Sequence, residues 1–359
     1  MKKIPADPFT HLSSAGNKNS SCYSHGLGSL MAPLRCCIRC IFRGESRYRV
    51  VERDNLLHKQ KGLQPAREMR TVDRPYLPKP AVHGDDGREI ELLRYIYNLP
   101  NFEELRGSPP NVIAAIDQYA RQKNYLMNVG SAKGSIVTDL IAAAKPKVMV
   151  ELGGYVGYST VLFGDAARRA GGEVYYSLER NPVFVAVSRM LLDLAGLGDF
   201  VKVITGTSDV SLFNLKSSGM ISHIDMLFLD HYKPAYVADL KLCEQLGMIL
   251  PGSVLAADNV ISPGNPPYLK YVRSSVEEKR ATAANSAPSR GYDVDGFSTT
   301  VVNRYGNTRD KALAAVDIFG NPNLIYESKL VNSFEPTGEP DGVEITRCVG
   351  IDKRPDSKL

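Results

Sequence analysis

The stretch that most constrains this chain is Val148 to Ser159, Val-Met-Val-Glu-Leu-Gly-Gly-Tyr-Val-Gly-Tyr-Ser. A short apolar run ends on Glu151. Three glycines follow (Gly153, Gly154 and Gly157), and a Ser-Thr pair then opens a helix. Buried strand, tight turn and helix make the first crossover of an open α/β sheet, whose ligands sit beyond the carboxyl ends of the strands. Glycine there lets backbone approach a ligand without interference from a Cβ. Taken alone, the stretch also fits an ordinary glycine turn closing any βα unit.

The rest of the chain extends the pattern. Strands are expected at Lys147–Leu152, Glu173–Leu178, Val201–Ile204, Ile224–Leu229 and Ser253–Ala257, with helices between them near 159–170, 182–194, 209–215 and 234–246. This alternation predicts a mostly parallel sheet with helices on both faces. Ahead of it, apolar spacing predicts helices over 89–97, 112–123 and 135–144, so folded structure is expected to begin near Asp86. The polar stretch 274–321 reads as an inserted loop. Apolar runs at Leu324–Val331 and Val343–Val349 read as a closing antiparallel hairpin. The domain is expected over 86–359.

Residues 1–85 read as a disordered, basic N-terminal extension, rich in Ser, Asn, Gly, Pro and Arg without an apolar period. It accounts for the net charge of +5, so the remainder is near neutral and offers no nucleic-acid-binding face. Its segment Arg35–Arg43 fits a transit peptide, a membrane-touching patch with acylated cysteines, or a gene start placed upstream of Met31 or Met69. No apolar run reaches the roughly 20 residues that span a bilayer. A monomer in the cytoplasm is expected, with mitochondrial targeting or membrane association through the extension as alternatives. Of six cysteines, Cys37 and Cys40 form a C-x-x-C without a second ligand pair, while Cys243 and Cys348 read as buried thiols.

The chemistry concentrates at strand ends. Glu179 closes the second strand, where an acid accepts ribose hydroxyls of a nucleoside. A dinucleotide turn wants G-x-G-x-x-G, whereas this one places its middle glycine out of register behind the acid Glu151. An acid suits a cationic sulfonium and ammonium better than a pyrophosphate, so the turn favours S-adenosylmethionine over NAD. The fourth strand ends in Asp230-His231-Tyr232-Lys233 and the fifth in Asp258-Asn259. Two carboxylates and an amide oxygen form a hard oxygen set suited to Mg²⁺, and Lys233 is placed as a general base. Acids at strand ends also serve as helix caps or solvated loop residues.

At these residues the chain resembles the catechol O-methyltransferases, within the small metal-dependent class I S-adenosylmethionine O-methyltransferases. The resemblance runs from about Glu89 to Val349, broken by the inserted loop. It is carried by Met127-Asn-Val-Gly-Ser-Ala-Lys-Gly134, Glu151 to Ser159, Phe228-Leu-Asp-His-Tyr-Lys233 and Ala257-Asp-Asn-Val-Ile-Ser-Pro-Gly264. It implies a Rossmann-like sheet of seven strands with the last antiparallel. It also implies methyl transfer from S-adenosylmethionine to a small-molecule catechol, with Mg²⁺ as the metal. Asp230, Asp258 and Asn259 match the metal ligands, and Lys233 the base. Asn259 and Glu335 match substrate-holding positions. Met127, Val129, Glu151, Tyr155, Ser159, Glu179, Ser208 and His231 match the cofactor site.

The chain also departs from its relatives. It has no tryptophan, and Tyr125 and Tyr232 stand where the family carries Trp. Pro336 follows Glu335 in place of an aromatic residue, and the insertion precedes that strand, where it could form a lid or displace Glu335. The alternatives are an O-methyltransferase of caffeoyl esters or other vicinal diphenols, a nicotinamide dehydrogenase, and a non-catalytic S-adenosylmethionine-binding protein.

Overall fold

The computed structural model describes residues 75–285, 292, 294, 296–303 and 317–353. Helices α1 (Arg88–Tyr97), α2 (Pro109–Gln122) and α3 (Gly130–Ala144) precede the sheet. Then β1 (Val148–Leu152), α4 (Tyr158–Arg169), β2 (Val174–Glu179), α5 (Pro182–Leu194), β3 (Val201–Thr205) and α6 (Ser208–Ser217) alternate. They are followed by β4 (Met226–Leu229), α7 (Tyr236–Gln245), β5 (Val254–Ala257), α8 (Pro266–Arg273), α9 (Val276–Asn285) and α10 (Thr299–Asn303). The hairpin of β6 (Leu324–Phe334) and β7 (Pro340–Ile351) closes the sheet.

The seven strands lie in the order β3-β2-β1-β4-β5-β7-β6. Pairs β1–β2, β2–β3, β1–β4 and β4–β5 are parallel, while β7 is antiparallel to both β5 and β6. The expected mostly parallel sheet with a closing hairpin is therefore present. The order reverses beside β1, where such sheets open a crevice for ligands. Strands buried on both faces carry apolar residues at successive positions. Met149, Met226, Phe228 and Val254 enter one core with Leu92, Ile116 and Ile141. Val150, Leu152, Leu227, Leu229 and Leu255 enter the other with Tyr236, Leu240 and Val272.

Three expectations are corrected. Ordered chain precedes Asp86: Tyr76 is buried, its hydroxyl donates to Asp117, and its backbone N–H donates to the Pro336 carbonyl. Helix α3 starts at Gly130 rather than Ser135, so Lys133 and Gly134 belong to its first turns. The stretch 274–321 is not all loop, because α9 and α10 lie within it. Helix α9 begins with a reciprocal cap, in which the Glu278 N–H donates to the Ser275 hydroxyl and the Ser275 N–H donates to the Glu278 carboxylate. That Ser-x-x-Glu signal was present in the sequence.

Cys243 and Cys348 are buried free thiols. The C-x-x-C and the remaining calls on residues 1–74 lie outside the described residues. No helix among the described residues is long and apolar enough to cross a membrane.

Candidate active site

Strand register assembles the site. Leu152 of β1 pairs with Leu178 and Leu229, and Leu229 pairs with Ala257. The residues just beyond these ends are therefore neighbours. The Asp230 N–H donates to the Leu152 carbonyl at 2.9 Å, and the Asp258 N–H to the Leu229 carbonyl at 2.9 Å. The antiparallel hairpin returns its turn to the same edge, with Ser333 opposite Asp341 and the Glu335 N–H bonded to the Glu339 carbonyl. A Cβ on Gly153, at φ 90°, would meet the Asp230 carbonyl at 2.5 Å. This glycine thus lets two strand ends pack against each other, beyond the ligand approach expected of it.

A cavity of about 720 Å³ opens over this edge. Met127, Val129, Tyr155, Ser159, Glu179, Ser208 and His231 line it, as do Asp230, Lys233, Asp258, Asn259 and Glu335. The sequence-predicted residues therefore share one chamber, with Glu151 the exception. Glu151 is fully buried beneath the turn, and its Oε2 accepts hydroxyls from Thr160 (2.6 Å) and Ser177 (2.7 Å). Its Oε1 has no hydrogen-bond partner. Burial pushes its carboxyl up to about 7, against those hydroxyls and that of Ser159, which pull it down.

On the β2–β3 side, both Glu179 oxygens accept backbone N–H groups, from Asn181 (2.8 Å) and Tyr155 (3.0 Å). Burial raises its carboxyl above the usual range despite those bonds. Nearby, Asp239 accepts from the Ser208 hydroxyl and lies 2.8 Å from His231 Nε2. A carboxylate can only accept, so Nε2 carries a hydrogen. Nδ1 is buried without a partner. The His231 ring stacks on Tyr236 with centroids 4.8 Å apart. Asp239 thus fixes the pose of two predicted cofactor residues, a role that sequence reading missed.

On the β4–β5 side, Lys233 Nζ donates to Asp230 Oδ1 (2.9 Å) and to the Tyr236 hydroxyl (2.8 Å), which itself donates to the Leu229 carbonyl. The Asn259 amide nitrogen donates to Glu335 and Asp341. Its remaining polar atom, Oδ1, is an acceptor. Gly130 packs so tightly on Pro336 that a Cβ there would lie 2.4 Å from the proline ring. Glu335 is held by Asn259 and Lys133, and its neighbour Pro336 packs on Gly130.

Lys133 was missed as a functional residue, although it lies inside the motif that carries the resemblance. It is fully buried, and its Nζ lies 2.8 Å from Asp258, 3.0 Å from Glu335 and 2.7 Å from Asp341. Burial alone would lower its affinity for a proton, but these carboxylates raise it above the ordinary lysine range. Burial pushes Asp258 up to about 6 and Glu335 up to about 7, with Lys133 pulling both down. In Asp341, Lys133 and the backbone amide of Ser262 overcome burial and hold the carboxyl below its usual value.

The donor set suits a hard divalent cation. Asp258 is buried with both carboxylate oxygens within 2.9 Å of the Lys133 ammonium, and Asp230, Asp258 and Asn259 present two carboxylates and an amide oxygen to the chamber. Among the described residues no three His, Cys, Asp or Glu side chains gather as a metal cluster. The set has two carboxylates, with an amide oxygen as its third member.

A family model described as a methyltransferase domain matches residues 150–260. Catechol O-methyltransferase of Mus musculus is 42% identical over 188 residues, 52% of this chain and 69% of that protein. Its counterpart in Bos taurus is 41% identical over 188 residues, 52% of this chain and 67% of that protein. Among solved structures, an O-methyltransferase from Bacillus cereus in complex with SAH covers 72% of this chain and 96% of its own, at 17% identity and a TM-score of 0.44.

Proposed function

The chain belongs to the catechol O-methyltransferase family, and on that premise we propose that it methylates one hydroxyl of a Mg²⁺-held 1,2-diphenol. It is an S-adenosylmethionine-dependent O-methyltransferase acting on catechol-like acceptors. One observation carries the finer reading: Asp230, Lys233, Asp258, Asn259 and Glu335 line the same chamber as Glu179 and His231. A donor site and an acceptor site within one cavity permit direct transfer.

S-adenosylmethionine would supply a methyl group on a positively charged sulfur, and Asp230, Asp258 and Asn259 would hold Mg²⁺, which would supply Lewis acidity that favours the ionised phenol. Glu179, a lining carboxylate fixed by two backbone N–H groups, accepts the ribose hydroxyls. His231 and Ser208, steadied by Asp239, hold the cofactor. Lys233 accepts the phenolic proton at Nζ. Its bonds to Asp230 and Tyr236 fix the position of Nζ at the chamber wall. Glu335 accepts from the second hydroxyl, which fixes the first one for attack. A free phenol has a pKa near 10, so proton removal needs this help near neutral pH. Holding both reactants in line supplies a further part of the acceleration, worth up to about 7–11 kcal/mol.

The test uses the full chain, labelled S-adenosylmethionine, Mg²⁺ and catechol, with and without EDTA. Methyl transfer that vanishes in EDTA, and in Asp258→Ala, is expected. Undiminished transfer in excess chelator refutes the metal role. An activity panel with a caffeoyl ester separates the alternative acceptor class.

A further inference from the structure

The insertion between α9 and β6 reaches the chamber. Tyr292, Thr300 and Val301 line the cavity together with Tyr125 and Tyr232. The contact is built rather than incidental. The Tyr232 hydroxyl donates to the Val302 carbonyl at 2.9 Å, and the Tyr232 and Tyr292 rings meet edge to face with centroids 5.5 Å apart. Tyr232 lies between His231 of the donor side and the base Lys233, so the insertion is tied to the centre of the reaction site.

The chamber divides its chemistry. Its oxygen-rich part (Asp230, Asp258, Asn259 and Glu335) takes hydroxyls. The wall formed by Tyr232, Tyr292 and Val301 offers two ring surfaces and a branched aliphatic side chain. A diphenol with both hydroxyls on the oxygen-rich part turns the rest of its ring towards other residues of the lining, this wall among them. Apolar surface there is best matched by apolar surface, because desolvating a charged substituent without a partner is costly.

Resting on the reading above, we infer that Tyr292 and Val301 make the insertion a specificity element that selects 1,2-diphenols bearing an alkyl or aryl ring substituent. The selected class is a substituted catechol whose substituent is apolar, in preference to unsubstituted catechol.

The experiment compares kcat/KM for 4-phenylcatechol, unsubstituted catechol and 4-(2-aminoethyl)catechol in the full-length protein and in Tyr292→Ala, Val301→Ala and Val301→Asp. Wild type should prefer the phenyl compound over catechol by about tenfold, the scale of a pocket contact worth one or two methylenes. Tyr292→Ala and Val301→Ala should bring that ratio towards one. Val301→Asp should lower it further and raise the relative rate with the aminoethyl compound. S-adenosylmethionine affinity by calorimetry, unchanged in the variants, shows that they are folded. Equal ratios in wild type and all variants, with methyl transfer intact, overturn the inference and leave the O-methyltransferase reading standing. Absence of transfer to every diphenol overturns both.

Discussion

Replacing Glu151 by Gln tests how the β1 turn is organised. Glu151 is fully buried, its Oε2 is occupied by two hydroxyls, and its Oε1 has no partner. Burial lifts the carboxyl from an ordinary 4.5 to about 7. A folded-state value above the unfolded one means that this group favours the folded state most below about 4.5. That contribution is lost as pH rises towards about 7. The loss is bounded by about 3.4 kcal/mol, at about 1.36 kcal/mol per pH unit. Glutamine carries no charge and fills the same volume, so its stability should not fall across that window. Its NH₂ group would inherit the unpartnered position, so the gain is smaller than the bound. At about 2 °C per kcal/mol, the variant should melt up to roughly 7 °C above wild type at pH 7.5 and close to wild type at pH 5. The assay is a series of calorimetric melts of the ligand-free protein from pH 5 to 8. Melting curves that run parallel across the whole range refute the reasoning, because Glu151 would then be neutral throughout or compensated by an unseen partner.

Lys133→Met should cost about 3–5 kcal/mol, since three carboxylates lose their buried counter-charge, and lower the melting temperature by roughly 6–10 °C. A drop below 2 °C by calorimetry would show that the cluster does not depend on its ammonium. Lys233→Ala should lower turnover by about 10²–10⁴-fold while S-adenosylmethionine affinity stays within twofold, and unchanged turnover removes Lys233 from proton transfer. Asp239→Asn should weaken S-adenosylmethionine binding about tenfold by freeing His231 and Ser208, at a charged hydrogen bond's worth of about 1.5 kcal/mol. Calorimetric titration reads this directly, and an unchanged Kd refutes the positioning role.

The sequence alone was enough to identify the strands, most of the helices and the acids at the strand ends. Strand and helix periods are local, and a βαβ crossover leaves few choices of topology once its elements are known. Asp230, Asp258 and Glu179 were legible because each directly follows or ends an apolar run. Only the tertiary structure decided which charges meet. Lys133 joins Asp258 across 125 positions and Asp341 across 208, and no local pattern encodes a pairing at that distance. Read linearly, Lys133 is a helix-start lysine, and only packing shows it to be a buried cation. The same holds for the insertion. Its polar composition suggested loop, yet Tyr292 and Val301 reach the chamber wall because Tyr232 binds the insertion's backbone. Periodicity is a property of neighbouring residues, whereas burial and charge pairing belong to the folded surface that distant residues share.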